Sequence, residues 1–156
     1  MSTNKFNLFL ENARFLSDKL GIVPLLYGSL GLEYLTGDAL DADDIDILVP
    51  REFITERWNE FQAILEVQGY VLVDEHEHTF MRDGVAYSYA DIEDLKSFAD
   101  INTEDIEMHE ADGVRFLLLS LEQYLAVYKQ SSKDGYRVNV RQKKDADKIR
   151  FIESKL

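Results

Sequence analysis

LLYGSLGLEYLTGDALDADDIDILVP, residues 25–50, carries an apolar run, a Gly-Ser turn, a second apolar run and an acidic loop before the chain turns apolar again. The run Ile22–Tyr27 predicts a strand that ends at Gly28-Ser29. Leu30–Leu35 predicts a short helix closed by Gly37, and Ile45–Val49 a second strand stopped by Pro50, which cannot donate to a ladder. Side chains alternate along a strand, so Asp44 and Asp46 share one face while Ile45, Ile47 and Val49 take the other. Two adjacent carboxylates repel unless a cation lies between them, which makes the pair a ligand set for a hard ion such as Mg²⁺. Gly28-Ser29 lies where free backbone N–H groups and the helix dipole favour a phosphate.

The flanking sequence predicts further elements. Phe6, Phe9, Leu10, Ala13, Leu16 and Leu20 recur at helical spacing after a cap at Ser2 or Thr3, with Gly21 as the stop. Residues 52–67 place Phe53, Ile54, Trp58, Phe61 and Leu65 on one helical stripe ended by Gly69. Tyr70–Val73, Thr79–Met81 and Val85–Tyr89 are short β-prone runs, the last two joined by the hairpin signal Asp83-Gly84. A helical turn is expected over Asp91–Phe98, and a second hairpin from Ile106–His109 and Val114–Leu117 around Ala111-Asp112-Gly113. Ser120 and Gln123 form a capping box for a helix over 120–131, and the spacing of Ala146, Ile149, Ile152 and Leu156 predicts a last helix over about 141–155. With no repeat and no linker, the chain reads as one α+β domain over 1–156, its core at about 22–117 and its C-terminal helices at about 120–155.

Composition narrows the functional classes. The 156 residues hold 17 Lys and Arg against 30 Asp and Glu, a net charge of −13 that disfavours bulk nucleic acid or an anionic membrane as partner. No cysteine is present, which excludes a disulfide framework, thiolate zinc and a cysteine nucleophile. The opening lacks a signal-peptide pattern and no apolar run approaches a membrane span, so a cytoplasmic protein is expected. The charge is uneven: residues 1–128 hold 8 Lys/Arg and 26 Asp/Glu, whereas 129–156 hold 9 and 4. That basic tail is either a solvated helix face or a segment that folds over the acidic site and helps to hold a polyanion.

Gly28-Ser29 and Asp44-Ile45-Asp46-Ile47, with fourteen residues between Ser29 and Asp44, resemble the signature of the nucleotidyltransferase superfamily with the DNA polymerase β-like core. Arg141 with Lys143-Lys144-Asp145 is similar to the Arg/Lys-Asp element that closes small nucleotidyltransferases of the lincosamide and aminoglycoside type. The resemblance implies a short mixed sheet flanked by helices with a C-terminal helical segment. It also implies Mg²⁺ or Mn²⁺ on Asp44 and Asp46, the phosphates of an NTP on Gly28 and Ser29, and transfer of a nucleoside monophosphate to a hydroxyl of a small-molecule or protein acceptor. Lys129, Lys143 or Lys144 would neutralise the triphosphate tail. In the family a third carboxylate on a neighbouring strand activates the acceptor hydroxyl. The strand Val85–Tyr89 holds no acid, so that role falls to Asp91 just beyond it, whose competing role is to cap the following helix. If Asp91 only caps, a catalytically silent member of the fold, sensing nucleotide or binding protein, is the alternative function. A homodimer stays open, because one chain of this size would build a shallow acceptor pocket.

Other conspicuous residues have ordinary explanations. Asp38, Asp41 and Asp43 read as loop and cap residues, and Asp74-Glu75-His76-Glu77-His78 as a polar hairpin turn with no third metal ligand. His109 belongs to an expected edge strand. Trp58, Tyr124 and Tyr128 read as core, although an aromatic near the cleft could stack on a nucleobase. Ser88 and Ser120 have no paired histidine, so a Ser-His-Asp hydrolase is unsupported.

Overall fold

The computed structural model describes residues 2–133 and 140–156, with the side chains of 2–4 and 140–144 left out of the description. Among the described residues, six helices flank a seven-stranded mixed sheet. The strands are β1 (Leu25–Tyr27), β2 (Ile45–Val49), β3 (Val71–Asp74), β4 (Thr79–Arg82), β5 (Val85–Asp91), β6 (Glu107–Ala111) and β7 (Val114–Leu118). They lie in the order β3-β4-β5-β2-β1-β7-β6. The centre is mixed: β2 runs antiparallel to β1 and parallel to β5, and β1 runs parallel to β7. Two hairpins flank this centre, β4–β5 through Asp83-Gly84 and β6–β7 through Asp112-Gly113. All four turn residues have positive φ, as two-residue hairpins that follow the sheet twist require.

Strand alternation divides the interior into two clusters. On one face, Ile45, Ile47 and Val49 of β2 join Tyr87 and Tyr89 of β5, the helix α1 (Ser2–Leu20) through Phe9, Ala13 and Leu16, and α3 (Trp58–Val67) through Phe61 and Leu65. On the other, Leu25 and Leu48 pack with α4 (Asp94–Ala99), α5 (Leu121–Ser132) and Ile152 of α6 (Val140–Glu153). The period of two therefore turns Asp46 towards the α5 and α6 side. The helix between the first two strands, α2 (Gly28–Thr36), contributes Leu30 to the first cluster and Leu32 to the second.

Most expected elements are present, and the differences are local. β1 begins at Leu25 rather than Ile22, since Pro24 offers only its carbonyl, which the Leu117 N–H engages at 2.8 Å. α2 begins at Gly28 itself, so the Gly-Ser pair is the first turn of the helix rather than a loop before it. The stripe over 52–67 divides into a 3₁₀ turn, Arg51–Phe53, and α3, because the Phe53 and Ile54 N–H groups bond three residues back, to Pro50 and Arg51, and the Arg57 N–H five back, to Glu52, which interrupts the α-helical ladder. Asp91 closes β5 rather than opening a helix. The Ser120/Gln123 capping box forms as expected. Among the described residues no helix is long and apolar enough to cross a membrane.

Candidate active site

β1 and β2 pair antiparallel with Tyr27 opposite Asp46, so the start of α2 stands directly beside the carboxylate strand. Gly28 occupies the junction at φ +66°, a left-handed conformation that L-residues with a Cβ avoid. A Cβ there would lie 2.5 Å from Asp46 Oδ2. Only glycine admits the carboxylate this close to the turn. Tyr27, the residue before the helix, is extended and its side chain does not cap α2.

The turn is held from behind. The buried Tyr124 of α5 donates its phenol to the Gly28 carbonyl at 3.0 Å. Gly31 makes room for it, because a Cβ at that position would overlap the Tyr124 oxygen. Burial, and then the nearby Tyr128, Tyr27 and Asp46, push the Tyr124 phenol well above its ordinary range, so it remains a donor at neutral pH.

In front of the turn lies a cavity of about 610 Å³. Gly28, Ser29, Asp44 and Asp46 all line it. Asp46 is half-buried and Asp44 exposed. Among the described residues no group of three or more His, Asp or Glu side chains is arranged to hold a metal ion. Two carboxylates nevertheless suit Mg²⁺ or Mn²⁺, since Mg²⁺ usually takes one or two protein carboxylates and completes its shell with substrate phosphates and water. The close seat of Asp46 under the Cβ-free turn favours that arrangement, because phosphates at the start of α2 would lie beside the carboxylate.

The third acid is not where the sequence reading placed it. β5 pairs with β2 in parallel register, with Ser88 opposite Asp46 and Asp91 opposite Val49. Three residues of alternation put Asp91 on the far face of the sheet, and it does not line the cavity. Its Oδ2 accepts from Arg51 Nε and its Oδ1 from the Glu93 N–H at 2.8 Å, so it ties the end of β5 to the approach to α4. Hydrogen bonding and attraction from Asp91 raise the Arg51 guanidinium further above its already high range. Ser88 itself is half-buried and shares a 2.8 Å hydrogen bond with the Thr79 hydroxyl.

The basic tail contributes differently from expectation. Lys129 does not line the cavity and stands 3.9 Å from Glu153 on α6. The Lys143 and Lys144 side chains lie outside the described residues. α6 instead brings Asp145, Asp147 and Lys148 to the cavity wall. Asp145 is buried and accepts the Ser131 hydroxyl at 2.7 Å, while Asp147 pairs with Arg150. Sequence reasoning missed Lys148, although it lies one helical turn beyond Asp145 and Lys144 in the same basic segment. It also missed Phe98, which joins Tyr27, Tyr124 and Tyr128 as the aromatic part of the lining.

No family model matches the chain. Over 147 residues, 94% of either chain, it is 41% identical to the uncharacterized protein YnaI of Bacillus subtilis (strain 168). It belongs to the YnaI family. Its fold is that of the nucleotidyltransferases. A nucleotidyltransferase-like antigenic protein from Paracoccidioides brasiliensis superposes with a TM-score of 0.64 at 16% identity, over 94% of this chain and 73% of that one. ANT(2")-Ia, solved in complex with adenylyl-2"-tobramycin, gives 0.57 at 14% identity, over 97% of this chain and 96% of that one. These two likenesses concern the fold.

Proposed function

We propose that this protein binds a nucleoside triphosphate with Mg²⁺ or Mn²⁺ and transfers the nucleoside monophosphate to an acceptor hydroxyl. The observation that carries the proposal is the Tyr27–Asp46 pairing, which sets the start of α2 beside the Asp44/Asp46 face. The N–H groups at the start of α2 and the Ser29 hydroxyl bind phosphate oxygens, assisted by the positive end of the helix dipole. Asp44 and Asp46 hold the ion, which when bound neutralises phosphate charge and stabilises the leaving oxygen. Lys148 faces the same cavity and adds a positive charge for the β- and γ-phosphates. Tyr27, Phe98 and Tyr128 offer aromatic surface to a base.

In the transfer, the acceptor oxygen forms a bond to the α-phosphorus. The bond from that phosphorus to the α–β bridging oxygen breaks, and its electron pair leaves with pyrophosphate. The acceptor proton passes to a cavity carboxylate rather than to Asp91, which is on the other face. A small-molecule acceptor is supported by the size of the cavity and by the adenylylated aminoglycoside bound to a neighbour of the same fold.

One observation favours a second reading, a catalytically silent nucleotide sensor: the register position opposite Asp46 is a serine, not an acid. An acceptor screen with labelled ATP and GTP separates the two. Transfer predicts labelled acceptor and pyrophosphate in equal amounts, reduced by roughly 10²–10³ in Asp46→Asn. No product from any acceptor, with nucleotide binding intact, selects the silent sensor.

A further inference from the structure

Ser29 and Glu33 stand one turn apart on α2, so the helix that opens the phosphate turn also carries a buried carboxylate. Glu33 is 6% exposed. Its Oε2 accepts the N–H of Leu40 at 2.6 Å and of Ala42 at 3.2 Å, while Oε1 has no partner among the described residues. A carboxylate is costly to bury, and charge-assisted bonds of this kind are the strong ones that offset the cost. Both amides belong to the loop 37–44, whose Asp41, Asp43 and Asp44 line the cavity. Asp41, between the two anchored amides, takes the left-handed φ of +53° that aspartate adopts more readily than most residues with a Cβ. A second tie runs to the same loop from the end of the chain, where Lys155 Nζ meets Asp38 at 2.6 Å.

We propose that Glu33 is a positioning residue of the nucleotide site: its Oε2 fixes the loop 37–44 against α2 and so sets Asp44 opposite Gly28-Ser29, beside the strand-held Asp46. This rests on the nucleotide-binding reading above. The rigid helix acts as a spacer, with phosphate donors at its first turn and the anchor of the metal-ligand loop one turn later. The acceptor oxygen is what matters, rather than the charge. Glu33→Gln therefore keeps the function, with its amide group placed where Oε1 has no partner. Glu33→Met keeps the length and removes the acceptor.

Two measurements test the role. Amide exchange of Leu40 and Ala42 without ligand should show protection in the wild type and Glu33→Gln and its loss in Glu33→Met. Titration with Mn²⁺–ATP should show affinity weakened about tenfold or more in Glu33→Met and near wild type in Glu33→Gln. Without metal, none of the three proteins should bind ATP measurably. Unprotected loop amides in the wild type would overturn the proposal even if Glu33→Met does not fold. So would Mn²⁺–ATP affinity unchanged in Glu33→Met, or Glu33→Gln as impaired as Glu33→Met. A wild type that binds neither Mn²⁺–ATP nor Mn²⁺–GTP would overturn the nucleotide-binding reading, and the positioning role with it.

Discussion

Gly28 is under two separate constraints, its left-handed φ and the proximity of Asp46, and the two can be measured apart. Gly28→Ala should destabilise by about 1–3 kcal/mol in denaturant unfolding, from the backbone conformation plus the overlap with Asp46 Oδ2. Asp46→Ala removes the overlap but not the φ penalty, so the double variant should be less destabilised than the sum of the singles. Additive losses would show that the carboxylate is not crowded by the turn. Ser88, opposite Asp46, supports a complementary prediction. Ser88→Asp puts a like charge beside Asp46 and should lower the melting temperature of the metal-free protein, and Mn²⁺ should reverse that loss. A Ser88→Asp protein whose melting temperature ignores Mn²⁺ would argue against a cation site on this face.

At the scale of elements, Asp91 shows what single-sequence reading could and could not reach. The order strand, Gly-Ser, helix, acidic strand was legible because glycine, proline and the period of two each mark a boundary physically. Two capping and turn chemistries were legible for the same reason, the Ser120/Gln123 box and the Asp83-Gly84 hairpin. The register of β5 against β2 was not, since it is set by packing between segments about forty residues apart. One extra residue of strand reverses the face on which an acid lies. Nor was Arg51 legible as the partner of Asp91, because it follows Pro50 in a turn that the stripe over 52–67 did not announce. Asp91→Ala should therefore cost about 1–3 kcal/mol of stability by leaving the Arg51 Nε–H and the Glu93 N–H without their acceptor. It should leave Mn²⁺–ATP affinity unchanged in the same titration. A stable variant with weakened nucleotide binding would put Asp91 back into the site.

Over the whole molecule, the charge asymmetry between residues 1–128 and the tail is resolved through α6. That helix packs on α5 through Ile152 and Ser131–Asp145, and so closes the cavity with aspartates as well as a lysine. Among the described residues, α6 therefore offers the cavity two aspartates beside one lysine, Lys148, which the sequence could not single out. Lys148→Ala should weaken ATP binding roughly ten- to 150-fold, the loss of one charge-assisted hydrogen bond, and should affect AMP far less because AMP lacks the outer phosphates. Equal weakening of both nucleotides would indicate a general field or folding effect.

The central claim is that Asp46 and the start of α2 form one metal–nucleotide site. Calorimetric titration of ATP and GTP into the wild type and Asp46→Asn, with and without Mn²⁺, tests it most directly. The wild type should bind at least one of the two nucleotides only when Mn²⁺ is present, and Asp46→Asn should lose that dependence while remaining folded, since removing one of two adjacent like charges relieves repulsion. Metal-dependent binding that persists unchanged in Asp46→Asn, or wild-type binding that never requires metal, would contradict the account.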